Sequence, residues 1–415
     1  MSLLLQNVHH KDLSGEKDIR IVDGVIEKIA QGIKPAQNEQ VINLEGKLVT
    51  YGWFDLNADF ADPGFEYRED TISGGRLAGQ SGFTDICILP YTIPSVDSKG
   101  SIEYLKRKSS AVVPTFHAVA NLSKGGKGED LSEMYDLWET GAAYFMDTAP
   151  IANAELLLKA LEYTQRFNGV VASIPVEQSL ARFGLVHEGA VSTSLGLRGI
   201  PDVAETAAIK RDLEILSYGG GRLHFAGISC AESVDIIAEA KKHGLQVSCD
   251  VAIHNLIFVD EEMPAFDTSF KTQPVLREAS DRAALREGLR SGTIDAIASY
   301  HQPRSTEEKD LEFDLADFGA ISLQTLFSDV LKLSEDLSFD LLEEKLSNGP
   351  RRILGMDPVA IKEGKIAKLS VFDKEASWVF DSNSNLSKSM NSPYYNQELK
   401  GKCLGIVNGS KTNLS

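Results

Sequence analysis

Eight short apolar runs, separated by stretches of helical periodicity, set the architecture open to this chain. The runs cover 53–58, 82–89, 113–119, 143–146, 169–174, 222–228, 246–251 and 296–299. Each is the length of a buried strand and rich in β-branched or small apolar residues. The intervening segments carry amphipathic stripes. In NAELLLKALEYTQRF, Leu157, Leu158, Leu161 and Thr164 share a face, and Asn153 is placed as an N-cap. In AESVDIIAEAKKHG, Val234, Ile237, Ala238 and Lys241 share a face, Lys242 and His243 complement the C-terminal dipole, and Gly244 suits a left-handed cap. Apolar strands alternating with such helices give a parallel sheet covered on its outer face, and eight units close it into a (β/α)8 TIM-type barrel.

The two ends of the chain read differently. RIVDGVIEKI places Asp23-Gly24 between alternating segments, a type I′ hairpin signal, and VINLEGKLVT repeats the idea around Glu45-Gly46. IKEGKIAKLSVFD and CLGIVNGS near the other end have the same strand character. The sequence therefore predicts a small β-sandwich built from both termini, residues 1–52 plus 360–415, around a barrel at 53–359. The Ser/Asn-rich stretch 381–396 is expected to be an irregular loop.

Composition narrows the partners. With 42 Lys and Arg against 60 Asp and Glu, the net charge of −18 repels phosphate backbones and acidic membrane surfaces, so neither nucleic acid nor membrane is expected as a partner. No apolar run reaches the roughly 18 residues needed to span a bilayer, and MSLLLQNVHHKD lacks a basic n-region, so the expected location is the cytoplasm. The four cysteines, Cys87, Cys230, Cys249 and Cys403, are scattered and read as buried apolar side chains, not as a disulfide framework or zinc site.

A barrel carries its chemistry at the C-terminal ends of its strands. The first strand ends in Asp55-Leu56-Asn57-Ala58-Asp59, and strict alternation would turn Asp55, Asn57 and Asp59 toward the interior. Three polar groups inward form either a site or a hydrogen-bonded plug. This opening, YGWFDLNADFADPGFEYREDTISGGRLAGQSGFTDICILPYTIP, resembles that of a dihydroorotase of the amidohydrolase superfamily. The resemblance continues through GLRGIPDVAETAAIKRDLEI, DVAIHNLIF, FKTQPVLR, GTIDAIASYHQPRSTEEK, NGPRRILGM and KSMNSPYYNQELKGKCLGIVNG, and so spans almost the whole chain. It implies the barrel and two-ended sandwich inferred above, and a zinc site on the barrel. The most similar type works in complex with aspartate carbamoyltransferase in pyrimidine synthesis.

The resemblance fails at the zinc site it implies. Where members begin D-x-H-x-H-x-R, this chain has Asp55, then Asn57 and Asp59 at the two histidine positions and Ala61 at the substrate arginine. Tyr91 stands where members have the asparagine of M-P-N-T. Asp147 matches the aspartate form of the bridging ligand, but Pro175 and Gly227 replace the histidines of the fifth and sixth strands. On the eighth strand, Ser299-Tyr300-His301-Gln302-Pro303-Arg304 replaces T-D-H-A-P-H, so Tyr300 takes the place of the ligand and general base. Zinc requires imidazole, thiolate or carboxylate in near-tetrahedral array. Asparagine is a poor zinc ligand, and proline and glycine have no donor. Without the ion nothing lowers the pKa of water from about 15.7 toward 7, and a phenol with an ordinary pKa near 10 does not replace a carboxylate base. With Ala61, the bidentate partner for a substrate carboxylate is gone as well.

Three readings follow. In the first, the chain is a non-catalytic homologue with no catalytic residue and no cofactor, acting as scaffold or partner of aspartate carbamoyltransferase or of its own copy. In the second, Asn57, Asp59 and Asp147 form an oxygen-rich site for Mg²⁺ or Ca²⁺ and the chain hydrolyses a cyclic amide. In the third, Tyr91, His254 and Tyr300 line a metal-free ligand cavity. His254 and His301 lie at the ends of the seventh and eighth strands, and His224 lies inside the sixth with an expected structural role. Gly125-Gly126-Lys127-Gly128 lacks P-loop spacing and reads as a loop, and no G-x-S-x-G elbow marks a serine hydrolase, although Ser-His-Asp chemistry stays open.

Overall fold

The computed structural model describes residues 2–414. Five strands come first: β1 (Ser2–Val8), β2 (Lys17–Val22), β3 (Val25–Ala30), β4 (Gln40–Asn43) and β5 (Leu48–Tyr51). The next group is β6 (Trp53–Ala58), β7 (Phe83–Ile88), β8 (Thr115–Ala120), β9 (Ala142–Phe145) and β10 (Val171–Ser173). A short excursion forms β11 (Val186–His187) and β12 (Gly199–Ile200). Then come β13 (Leu223–Phe225), β14 (Val247–Ala252) and β15 (Ala296–Ala298), and finally β16 (Lys368–Phe380), β17 (Gln397–Asn408) and β18 (Lys411–Thr412).

The barrel is the eight-stranded sheet in the order β15-β14-β13-β10-β9-β8-β7-β6, with parallel pairing throughout. A parallel bridge between Ala58 and His301 joins its two edges. Each of the eight apolar runs coincides with one of these strands. Asn153 caps the helix Ala154–Thr164 by accepting from the N–H groups of Glu155 and Leu156. In the helix Ala231–Lys242, Ser233, Val234, Ile237 and Ala240 are buried; Ala238 is only partly so, and Lys241 turns aside to pair with Asp295 at 2.7 Å. The barrel interior is an apolar cluster that includes Phe54, Leu56, Leu89, Val119, Tyr144 and Ala298. The larger core lies between barrel and helices.

The terminal strands form two four-stranded sheets, β3-β2-β1-β4 and β18-β17-β16-β5. They share a core that includes Leu3, Leu5, Ile19, Val371 and Val407, so both ends of the chain build one small unit. The Asp23-Gly24 hairpin forms as expected, with both residues at positive φ (49° and 85°). The Glu45-Gly46 turn does not make a hairpin. Its flanking strands diverge, β4 pairing parallel with β1 and β5 antiparallel with β16, so the turn links the two sheets. The segment 381–396 has no helix or strand, as expected.

A buried charge cluster ties the two units together. Asp85 of β7 accepts from Arg351 (2.5 Å), from Lys368 of β16 (2.6 Å) and from His117 of β8 (3.0 Å). Burial alone would raise its pKa, but His117, Lys368 and Arg351 outweigh this and hold the carboxyl far below the usual range.

Candidate functional site at the barrel mouth

A cavity of about 520 Å³ opens where the barrel strands end. Asn57, Tyr91, Gly227 and Tyr300 lie on its wall, together with Met146, Ile174 and Ala226 from the strand ends. Asp59, Ala61, Asp147, Pro175 and His254 do not. The structure thus gathers four of the nine positions singled out above and disperses the rest.

The first strand explains part of this. Its pairing with β7 slips between Trp53 and Phe54 and again between Asp55 and Ala58. Phe54 and Leu56, two residues apart, join the interior apolar cluster while Trp53 packs in the outer core, so over this stretch the alternation runs in the opposite phase to the one expected. Asp55 is spent on the neighbouring strand end, accepting from the Ser299 N–H (2.8 Å) and its hydroxyl. Burial raises its pKa to about 6 against those hydrogen bonds. Asp59 accepts from the Ala61 N–H (2.9 Å) and from Arg304 (3.3 Å). Burial outweighs Arg304, and the Asp59 pKa is raised. Asn57 reaches the cavity only 4 % exposed, and its Oδ1 has no hydrogen-bond partner in the protein.

The other carboxylate is also committed. Asp147 accepts from the Ser123 N–H (3.0 Å) and hydroxyl (2.5 Å). The decisive arrangement is at the sixth and eighth strands. Gly227 has φ +78°, and a Cβ there would meet the Tyr300 hydroxyl oxygen at 2.5 Å and Pro274 Cγ at 2.8 Å. Tyr300 itself adopts φ +52° and is 6 % exposed. Its hydroxyl donates to Asp250 Oδ1 (2.9 Å), which also accepts the Gly227 N–H (2.8 Å). Burial, reinforced by Asp250, pushes the phenol well above its ordinary pKa, so it stays a neutral donor. Burial and Asp59 raise the Tyr91 phenol likewise, to about 12.

His254, considered above for lining a ligand cavity, is buried and is not among the residues on the wall of this one. Burial lowers its pKa to about 4. His301 accepts the Ser322 N–H at Nδ1 (3.2 Å) and is lowered to about 3 by burial and then by His254. Both imidazoles are neutral, and neither ring nitrogen of His254 has a hydrogen-bond partner among the described residues. Among the described residues, no three His, Cys, Asp or Glu side chains come together to hold a metal ion. An amide, two carboxylates bound elsewhere and a phenol packed against a glycine do not fit zinc.

Several wall residues carried no signal of their own in sequence. Arg277 and Glu205 lie inside quoted family motifs and form a buried cluster: Arg277 donates to the Ser229 hydroxyl (2.7 Å) and to Glu205 (3.3 Å). The segment 314–318 makes part of the wall. It is held by the buried Lys271 ammonium, which donates to the carbonyls of Phe313 and Ala316, both at 2.6 Å.

Fold and cavity together define a barrel of the amidohydrolase type. L-hydantoinase (dihydropyrimidinase) from Arthrobacter aurescens superposes with a TM-score of 0.86 at 20% identity, covering 100% of this chain and 96% of that one. D-hydantoinase (dihydropyrimidinase) from a Thermus species gives 0.82 at 18% identity, covering 99% and 95%. A family model described as dihydro-orotase-like matches residues 46–233. The dihydroorotase of Geobacter metallireducens is 38% identical over 399 residues, 95% of this chain and 94% of that protein. The dihydroorotase of Geotalea daltonii is 39% identical over 389 residues, 92% and 91%. The chain belongs to the dihydroorotase family.

Proposed function

We propose that this chain is a non-catalytic member of its family in pyrimidine biosynthesis, serving as a scaffold or partner of aspartate carbamoyltransferase. The observation that carries the first half is the seating of Tyr300 against Gly227. The side chain that would hold a metal on the sixth strand has been reduced to hydrogen, and a phenol from the eighth strand packs into the freed volume. The oxygen-rich alternative is weaker, because Asp59 is taken by Arg304 and Asp147 by Ser123. The partner half rests on the family resemblance.

The test is metal content and dihydroorotate hydrolysis measured on one sample of purified protein, with sizing chromatography in the presence of aspartate carbamoyltransferase. The expected result is no stoichiometric zinc, no turnover and co-elution. Stoichiometric zinc with turnover would overturn the first half. Independent migration at micromolar concentrations would overturn the second.

A further inference from the structure

The opposite end of the barrel holds a second cavity, of about 200 Å³, lined by Ser248, Arg222, Gln246, Asp295 and Arg352 among others. Ser248 is half-buried on its wall. Its hydroxyl meets His224 Nδ1 at 2.9 Å, and His224 Nε2 meets Asp250 Oδ2 at 3.2 Å. His224 and Asp250 are buried. A hydroxyl, an imidazole and a carboxylate in this order satisfy the geometric rule for an activated nucleophile: base within reach of the hydroxyl, and base oriented by a third group. Polar groups at this end of a barrel ordinarily serve stability. Here the serine lines a cavity, and the cations around it are not equally paired: Arg352 is held by Glu344 (2.9 Å). Among the described residues Arg222 has no carboxylate partner; it donates to the carbonyls of Asn168 (2.9 Å) and Ile353 (2.6 Å). The cavity's own carboxylate, Asp295, is already held by Lys241 (2.7 Å) and the Cys249 N–H (2.9 Å).

We propose that Ser248, His224 and Asp250 form a second, acyl-accepting site whose substrate is a small acyl phosphate. This goes beyond the reading of the barrel mouth and does not depend on it. Ser248 Oγ attacks the acyl carbon; the Oγ–C bond forms as the bond from carbon to the phosphate oxygen breaks. The hydroxyl proton passes to His224 Nδ1 and on to the departing phosphate, which Arg222 attracts. Asp250 is a positioning residue: it holds the Nε2–H and so keeps Nδ1 free as the base. Water then cleaves the acyl-serine by the same proton route, releasing the carboxylic acid.

The test is incubation of the full chain with acetyl phosphate, followed by peptide mass spectrometry and phosphate release, with the denatured chain and Ser248→Ala as controls. The expected result is acetylation of Ser248, or phosphate release at least tenfold above background, in the folded chain only and lost in Ser248→Ala. Asp250→Asn, which can present an N–H to Nε2 and force the proton onto Nδ1, should slow the reaction more than tenfold and move the midpoint of its pH–rate profile; a purely structural role would leave that midpoint in place. Neither acetylation nor Ser248-dependent release from the folded chain overturns the proposal, as does equal reaction of Ser248 in the denatured chain.

Discussion

Gly227→Ala probes the packing at the barrel mouth directly. The substitution asks an L-residue to adopt φ +78° and sets its Cβ at 2.5 Å from the Tyr300 hydroxyl and 2.8 Å from Pro274. The backbone cost is about 1–2 kcal/mol. Overpacking adds about 1–3 kcal/mol, for a total of roughly 2–5 kcal/mol. Tyr300→Ala removes the nearer obstacle but leaves a cavity, at a cost of about 3–5 kcal/mol by analogy with Phe→Ala in cores. In the double variant the alanine at 227 no longer meets the ring and keeps only the backbone and Pro274 costs. The two changes should therefore cost less together than their sum, with a coupling of about 1–2 kcal/mol. Urea unfolding of wild type, both single variants and the double variant measures it, provided the slopes agree. Additivity within about 0.5 kcal/mol would show that Tyr300 does not occupy the sector of a side chain at 227, and the packing argument would fail.

Other consequences concern buried charge. Asp85→Asn leaves Arg351 buried without its counter-ion and should destabilise the fold by about 3–5 kcal/mol, measured by urea unfolding. Asp329, to which the Tyr394 hydroxyl donates, is raised by burial to about 6 against about 3.9 unfolded, so its protonation favours the folded state. That contribution is full below about pH 3.9 and is lost as pH rises through about 6. Wild type should therefore gain on Asp329→Asn as pH falls from 6 to 4, and a pH-independent difference would contradict this. His254 moves the other way. Its folded value of about 4 lies below about 6.5, so its contribution is present above pH 6.5 and drains as pH falls toward 4. The loss is up to about 3 kcal/mol. His254→Leu should flatten stability over that interval, seen as a smaller shift of the urea midpoint between pH 7 and pH 4.5.

The barrel was legible because burial on both faces writes parallel strands as unbroken apolar runs, and each run became a strand. The Asp23-Gly24 hairpin was legible because two consecutive positive φ values need such residues. The Glu45-Gly46 turn has the same local chemistry, yet β4 pairs back with β1 while β5 pairs with β16, more than three hundred residues away, which no local signal records. At the mouth, sequence showed which donors were missing but not where the remaining ones point. Alternation put Asp55, Asn57 and Asp59 on the inward face; Phe54 and Leu56 take the interior instead, and that choice of phase is made by the packing of neighbouring strands. Lys271, which the sequence shows only as part of the stretch FKTQPVLR, becomes a wall support through the carbonyls of a loop more than forty residues further on.

The changes at the mouth are best understood as one packing solution, not a set of separate losses. Asp250 needs donors for a buried oxygen, and takes the Gly227 N–H and the Tyr300 hydroxyl on Oδ1. A carboxylate at 300 would offer Asp250 no hydrogen and would add a like charge in a buried setting, a costly pair without a cation between them. A phenol supplies the hydrogen and stays neutral, but its hydroxyl needs space, and position 227 provides that space only as glycine. Tyr300 and Gly227 therefore require each other and share Asp250. The same carboxylate turns its other oxygen toward His224, so a hydrogen-bonded column Tyr300–Asp250–His224–Ser248 runs between the two ends of the barrel. Tyr300→Phe removes one donor from Asp250 and should strengthen the remaining Asp250–His224 bond, raising the acetylation rate of Ser248 without touching its cavity; an unchanged rate would show that the column transmits nothing between the two ends.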